Sequence, residues 1–212
     1  YFYLHFQYNG WLTLALIGLI LYLFYKKGIP VHTLRIKRGF WIYFIALFPS
    51  YLLSVLWVEE LGTISYAVGA LGGIGQWFGV LYILLAFKPS VSKWKHHFSN
   101  MIQLGLGITA SLLLLKSTFE LGLLSPGLAE LVYQTRSVII GYLHLTLLGF
   151  ISIFILILFF IVNIIPNTKI AKIGSTIFLI GFVLNEIFLF LQSLLDWLNV
   201  GGLPFYLEGL LV

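Results

Sequence analysis

Along the chain, long apolar runs alternate with short polar breaks. The runs cover about 1–25, 39–57, 63–87, 99–124, 137–163 and 173–199, each near the ~20 residues with which an α-helix crosses a bilayer. Inside hydrocarbon the backbone must satisfy its own hydrogen bonds, so runs of this length fold as helices. The pattern predicts an all-α fold, a polytopic transmembrane helical bundle of about six spans, with residues 1–212 as a single domain. Tyr1 already stands in an apolar run and the chain closes on the apolar stretch LEGLLV. The reading is therefore of part of a longer chain.

The breaks differ in charge. Lys26, Lys27, Arg35, Lys37 and Arg38 follow the first run, Lys88, Lys93 and Lys95 the third, and Lys169 and Lys172 the fifth. These are ten of the twelve Lys and Arg residues, all in alternate breaks, with no Asp or Glu among them. Glu59, Glu60, Glu130 and Glu208 lie in the other breaks or the C-terminal segment. By the positive-inside rule the basic connections face the cytoplasm, which puts both the N-terminus and the C-terminus outside. Gly28, Pro30, Pro89 and Pro166 follow the helix ends on the basic side, where a helix must stop. Trp57, Trp94 and Trp197 fall near the interfaces, where an amphipathic ring is favoured.

Composition agrees with the pattern and removes several classes. Hydrophobic residues make up 60% and charged residues 9%, against roughly 25% charged in soluble chains. The net charge of +5 is explained by topology and does not call for nucleic acid. With no cysteine, there is no disulfide framework, thiolate metal site or cysteine nucleophile. The first apolar run leads straight into Lys26 and Lys27, so no cleavable signal peptide is visible. Paired His/Glu zinc motifs and nucleophile elbows are missing as well. Gly72, Gly73, Gly75, Gly105 and Gly107 read as places where neighbouring backbones approach closely, and none has the strand–loop–helix context of a phosphate loop.

One local frame occurs twice: YLHFQYNGW at 3–11 and YLHLTLLGF at 142–150. Each has Tyr-Leu-His and then a glycine five residues after the histidine. His5 precedes Lys26 by 21 residues, and His144 precedes Pro166 by 22. At about 1.5 Å per residue, both rings sit about 32 Å from the basic side, at matching depth on helices that run the same way. A polar ring at the outer edge of the hydrocarbon needs a reason. Metal ligation is one, because a neutral imidazole binds haem iron and haem fits between helices. Hydrogen bonding within the bundle is the other. The glycine would relieve crowding by a macrocycle or by another helix. His32, His96 and His97 lie in basic connections and read as solvated.

The two segments resemble the histidine-bearing helices of the haem–copper oxidase and nitric-oxide-reductase large-subunit superfamily. They look closest to little-characterised bacterial membrane proteins of that type. The resemblance implies a fold of about twelve helices in which this chain is the C-terminal half. His5 and His144 would then stand on the sixth and tenth helices, with His144 as one ligand of haem b toward the outer face and the other from His5 or from sequence that precedes this chain. It further implies electron transfer or gas (O2 or NO) handling in a bacterial cytoplasmic membrane, with other membrane subunits or a preceding half of the same protein as partners. Copper chemistry is not implied. The second run, GFWIYFIALFPSYLLSVLW, lacks the expected His-His pair, YLHLT has one histidine where His-x-His is usual, and the crosslinked tyrosine has no counterpart.

Other polar residues in the runs complete the picture. Arg136 lies eight residues, or about 12 Å, outward of His144 and would suit haem propionates, or serve as an interfacial anchor. Lys116 and Glu120 are four apart and share a face, which favours an ion pair near the outer interface. Glu186 sits well inside the sixth run beside Asn185, and an intramembrane carboxylate is a candidate for proton or cation handling. Gln76 and Asn100 are potential partners for it. The functional expectation is a haem-binding membrane protein using His5, His144 and Arg136, with no catalytic residue assigned. The alternatives are a cofactor-free transporter with Glu186 and Gln76 on a polar path, or a non-catalytic membrane subunit.

Overall fold

The computed structural model describes residues 2–56 and 62–203. Trp57, Glu59, Glu60 and Glu208 lie outside the described residues. The chain forms α1 (Phe2–Lys26), α2 (Thr33–Val55), α3 (Thr63–Ala86), α4 (Lys88–His97), α5 (Asn100–Gly122), α6 (Pro126–Gln134), α7 (Arg136–Ile161) and α8 (Lys169–Leu198). Among the described residues, six of these helices, all except α4 and α6, are long and apolar enough to cross a membrane. The expected all-α bundle of six spans is what the chain forms.

Two spans begin earlier than hydropathy suggests. α2 starts at Thr33 because the His32 ring accepts from the Arg35 amide (3.4 Å). α8 starts at Lys169, where the Thr168 hydroxyl accepts from the Ala171 amide (3.2 Å). A capped polar turn extends a helix beyond its apolar section. The second basic connection, after the third span, is itself helical. Pro89 stands in the first turn of α4, where a proline costs no hydrogen bond. Gly28 stops α1 with φ +65°, and Asn163 and Asn199 end α7 and α8 at φ 61° and 55°. α2 tightens to a 3-10 turn at Tyr51–Val55, just past Pro49.

α2 and α3 form the closest pair, an antiparallel seam set by glycines. A Cβ at Gly72 would lie 2.2 Å from the Ser50 nitrogen, one at Gly75 2.8 Å from Ala46 Cβ, and one at Gly79 2.7 Å from Tyr43 Cβ. Gly39 opposes Ile83 in the same register, at 2.8 Å. The seam is latched at the basic end. The His32 amide donates to Ala86 O (2.9 Å), the Arg35 guanidinium to Leu85 O (3.3 Å) and the Ser90 hydroxyl to Pro30 O (2.6 Å). Gly105 admits Ile157 of α7 in the same manner, whereas Gly107 faces open space.

α7 lies at the centre and touches α1, α5 and α8. Phe150, Ile153, Ile157 and Ile161 are buried on it. α8 packs along α7 and leaves Ile173, Ile177, Ile180, Val183 and Ile187 exposed, an apolar outer stripe suited to lipid.

Candidate functional site

The repeated frame has a repeated backbone. His5–Leu12 and Leu145–Ser152 are both π-helical, in helices that are otherwise α. A π-helical turn is rare and concentrates at functional sites. It shifts the backbone pairing, and the sequence supplies a hydroxyl for the shift at the same position in both copies. Eight residues past His5, the Thr13 hydroxyl donates to Tyr8 O. Eight residues past His144, the Ser152 hydroxyl donates to Leu147 O (2.8 Å). The two π segments pack against each other. Their glycines answer the crowding question in favour of neighbouring helices. Gly10 faces Leu47 of α2, and Gly149 faces the Phe182 ring of α8.

The histidines themselves diverge. His5 is buried, at 3% exposure, and both ring nitrogens are engaged. Nε2 lies 3.1 Å from Leu47 O, while Nδ1 lies 3.3 Å from Asn9 Nδ2. A carbonyl only accepts and an amide NH2 only donates. The ring is therefore neutral, with its hydrogen on Nε2 and its Nδ1 lone pair already used. The Ser50 and Ser54 hydroxyls stand 3.4 Å from the two nitrogens.

Asn9 carries this contact into an ionic cluster. Its amide NH2 also donates to Glu120 Oε1 (3.1 Å), and its Oδ1 accepts from the Lys116 ammonium. Lys116 pairs with Glu120 at 3.1 Å, and the Tyr142 hydroxyl donates to the same carboxylate oxygen. The ammonium lies 5.9 Å from the Tyr8 and Tyr142 ring centroids, within cation–π range. The Tyr43 hydroxyl donates to Asn9 O (2.6 Å). The pair expected from the four-residue spacing forms, but in the bundle interior, with Lys116 only 1% exposed. A lysine is tolerated there because its ammonium meets two acceptors and two aromatic faces. Asn9, Tyr8, Tyr43 and Tyr142 escaped the sequence reading. The signal for Tyr142 was its place in the repeated frame; Tyr142 is half-buried, whereas its counterpart Tyr3 is exposed.

His144 is half-buried. Its Nδ1 lies 2.9 Å from Asn185 Oδ1 of α8, so Nδ1–H donates. Nε2 then presents its lone pair, and no hydrogen bond to it forms among the described residues. An imidazole held at Nδ1 with Nε2 open is the arrangement of a metal-ligating histidine. Among the described residues His5 and His144 share no hydrogen-bond partner. Among the described residues no group of three His, Asp or Glu side chains could hold a bare metal ion.

The remaining candidates separate. Arg136 is exposed at the start of α7. Glu186 is 8% exposed, and among the described residues neither carboxylate oxygen has a hydrogen-bond partner. It lies between Phe182, which faces Gly149, and Leu189, which faces Gly141, so it faces α7 near the start of the second π segment. Gln76 is buried with its Nε2 unpartnered among the described residues, and Asn100 is exposed at the start of α5. Neither pairs with Glu186. His32, His96 and His97 are exposed, as expected of solvated connections.

Comparison with protein families, with curated proteins and with solved structures gives no match.

Proposed function

We propose that this chain belongs to a haem-binding membrane protein and that His144 is the iron ligand. The observation that carries the reading is the imidazole of His144, held through Nδ1 by Asn185 with Nε2 unbonded. A neutral imidazole with a fixed tautomer is suited to haem iron. His5 does not fit a ligand's role in this packing, because both its nitrogens are hydrogen-bonded. It serves instead to orient Asn9 beside the ionic cluster. A bound haem b would supply one-electron transfer or the binding of O2 or NO. The protein's part is to fix the His144 ring and to offer Arg136 toward propionates. Both termini would lie outside and the basic connections on the cytoplasmic side, with further membrane helices or subunits completing the site.

The test is a dithionite-reduced minus oxidised absorption spectrum of detergent-purified, haem-supplemented protein. Sharp α and Soret bands that vanish in His144→Ala and persist in His5→Ala support the reading. A flat spectrum from folded protein that also carries those further helices or subunits sinks it.

A second reading, a cofactor-free transporter, is favoured by one observation: Glu186 and Gln76 are buried with unpartnered polar atoms. It requires a colourless protein that a transported ion or solute stabilises, and whose response is lost in Glu186→Gln.

A further inference from the structure

A cavity of about 320 Å³ lies within the bundle, away from both histidines, between α1, α3, α4, α5 and α7. Its deep wall is Phe24, Ile83, Leu113 and Phe150, each at most 3% exposed. Its one hydroxyl is turned away, since Thr109 donates to Gly105 O (3.1 Å) and Leu106 O (3.0 Å) of its own helix. Besides Lys88 at the mouth, the lining offers one unpartnered donor among the described residues, the indole N–H of Trp94, and a polar ligand would be costly to bury along the rest of the shaft. The volume is about twice that of the engineered ~150 Å³ cavity that stays dry and takes up benzene, which is room for a chain.

The mouth has the opposite character. Among the lining residues, Leu85 and Val91 are 43% and 52% exposed, and Lys88 stands exposed between them. The Arg35 guanidinium donates to Leu85 O (3.3 Å), so a second cation flanks the opening. The half-buried Trp94 ring lines it too. An apolar shaft that opens beside Lys88 and Arg35, at the end of the bundle that holds the basic connections, matches one chemistry: an acyl chain with an anionic head. We propose that this cavity binds one acyl chain of an anionic phospholipid, with the phosphate at Lys88 and Arg35. The inference is independent of the haem reading.

Delipidated protein incubated with phosphatidylglycerol, phosphatidylcholine or an isoprenoid quinone, and examined by native mass spectrometry, tests it. One phosphatidylglycerol should be retained in preference to phosphatidylcholine. Lys88→Gln should lower that occupancy about fivefold, the share of one basic residue near a charged membrane surface. Ala110→Trp, which fills the shaft, should abolish it. As a check that does not depend on a variant folding around a larger side chain, phosphatidylglycerol brominated on its acyl chains should quench wild-type fluorescence. That quenched component should be missing in Trp94→Phe. Equal retention of the two phospholipids, undiminished binding in a folded Ala110→Trp, displacement by the quinone, or quenching unchanged in Trp94→Phe would each overturn the proposal.

Discussion

The Lys116 ammonium donates to Oδ1 of Asn9, a residue 107 positions away in the chain. Through that bond the π-helical turn after His5 is tied to the ion pair of α5. Asn9 spends both amide hydrogens and its carbonyl on three different residues, His5, Glu120 and Lys116. The contact makes the first copy of the repeat a closed polar network and leaves the second, at His144, open at Nε2.

Breaking the ion pair from one side should be costly. Glu120→Gln leaves a buried ammonium without its counter-charge, a loss of about 3–5 kcal/mol. Lys116→Met with Glu120→Gln removes both charges and should recover most of that loss. Unfolding of the single and double variants in mixed micelles measures it. A double variant as unstable as the single one would contradict the network.

Asn185 positions the His144 ring. Asn185→Leu removes the acceptor at Nδ1, and losing such an outer partner typically lowers metal affinity about 10–100-fold. Haem titration followed at the Soret band reads the change. Asn185→Asp, which keeps an acceptor, should retain binding. If Asn185→Leu binds haem as the wild type does, His144 is not the ligand or is held by something else.

The α2–α3 seam leaves no room for side chains. Gly72→Ala would drive a methyl group into the Ser50 backbone, and overpacking of this kind costs about 1–3 kcal/mol. Gly107→Ala faces open space and should be neutral or slightly stabilising, because alanine is the better helix former. Thermal unfolding in detergent compares the two, and similar effects would argue against the seam.

The hydroxyls at the ends of the π segments should matter alike. Thr13→Val and Ser152→Ala each remove a bond to the carbonyl five residues back, worth about 1 kcal/mol. Amide exchange over 5–13 and 145–152 should rise locally in each variant. A rise in only one would mean that the two segments are not equivalent devices.

Glu186 separates structure from function. A buried carboxylate without a partner is a liability for stability, so Glu186→Leu should raise the unfolding temperature. If the residue handles a proton or cation, activity falls while stability improves. A stability loss in Glu186→Leu would reveal a partner beyond the described residues.

Much of this protein is a property of its one-dimensional pattern. Apolar runs of membrane-crossing length can satisfy their backbones only as helices, so the six spans were legible before any packing was known, as were close approaches at Gly72, Gly75 and Gly105, though not their partners nor the open space at Gly107. The i, i+4 spacing of Lys116 and Glu120 announced their pairing for the same local reason. Tertiary structure decided what lay around each side chain. His5 and His144 occupy one sequence frame and one backbone geometry. The first meets α2 and Asn9, which consume both of its nitrogens, and the second meets Asn185, which consumes one. The burial of Lys116, the choice of Tyr142 over Tyr3 and the cavity beside Lys88 likewise depend on which helix face meets which neighbour. Side-chain chemistry is carried by the residue, but its availability is set by the contacts that folding leaves around it.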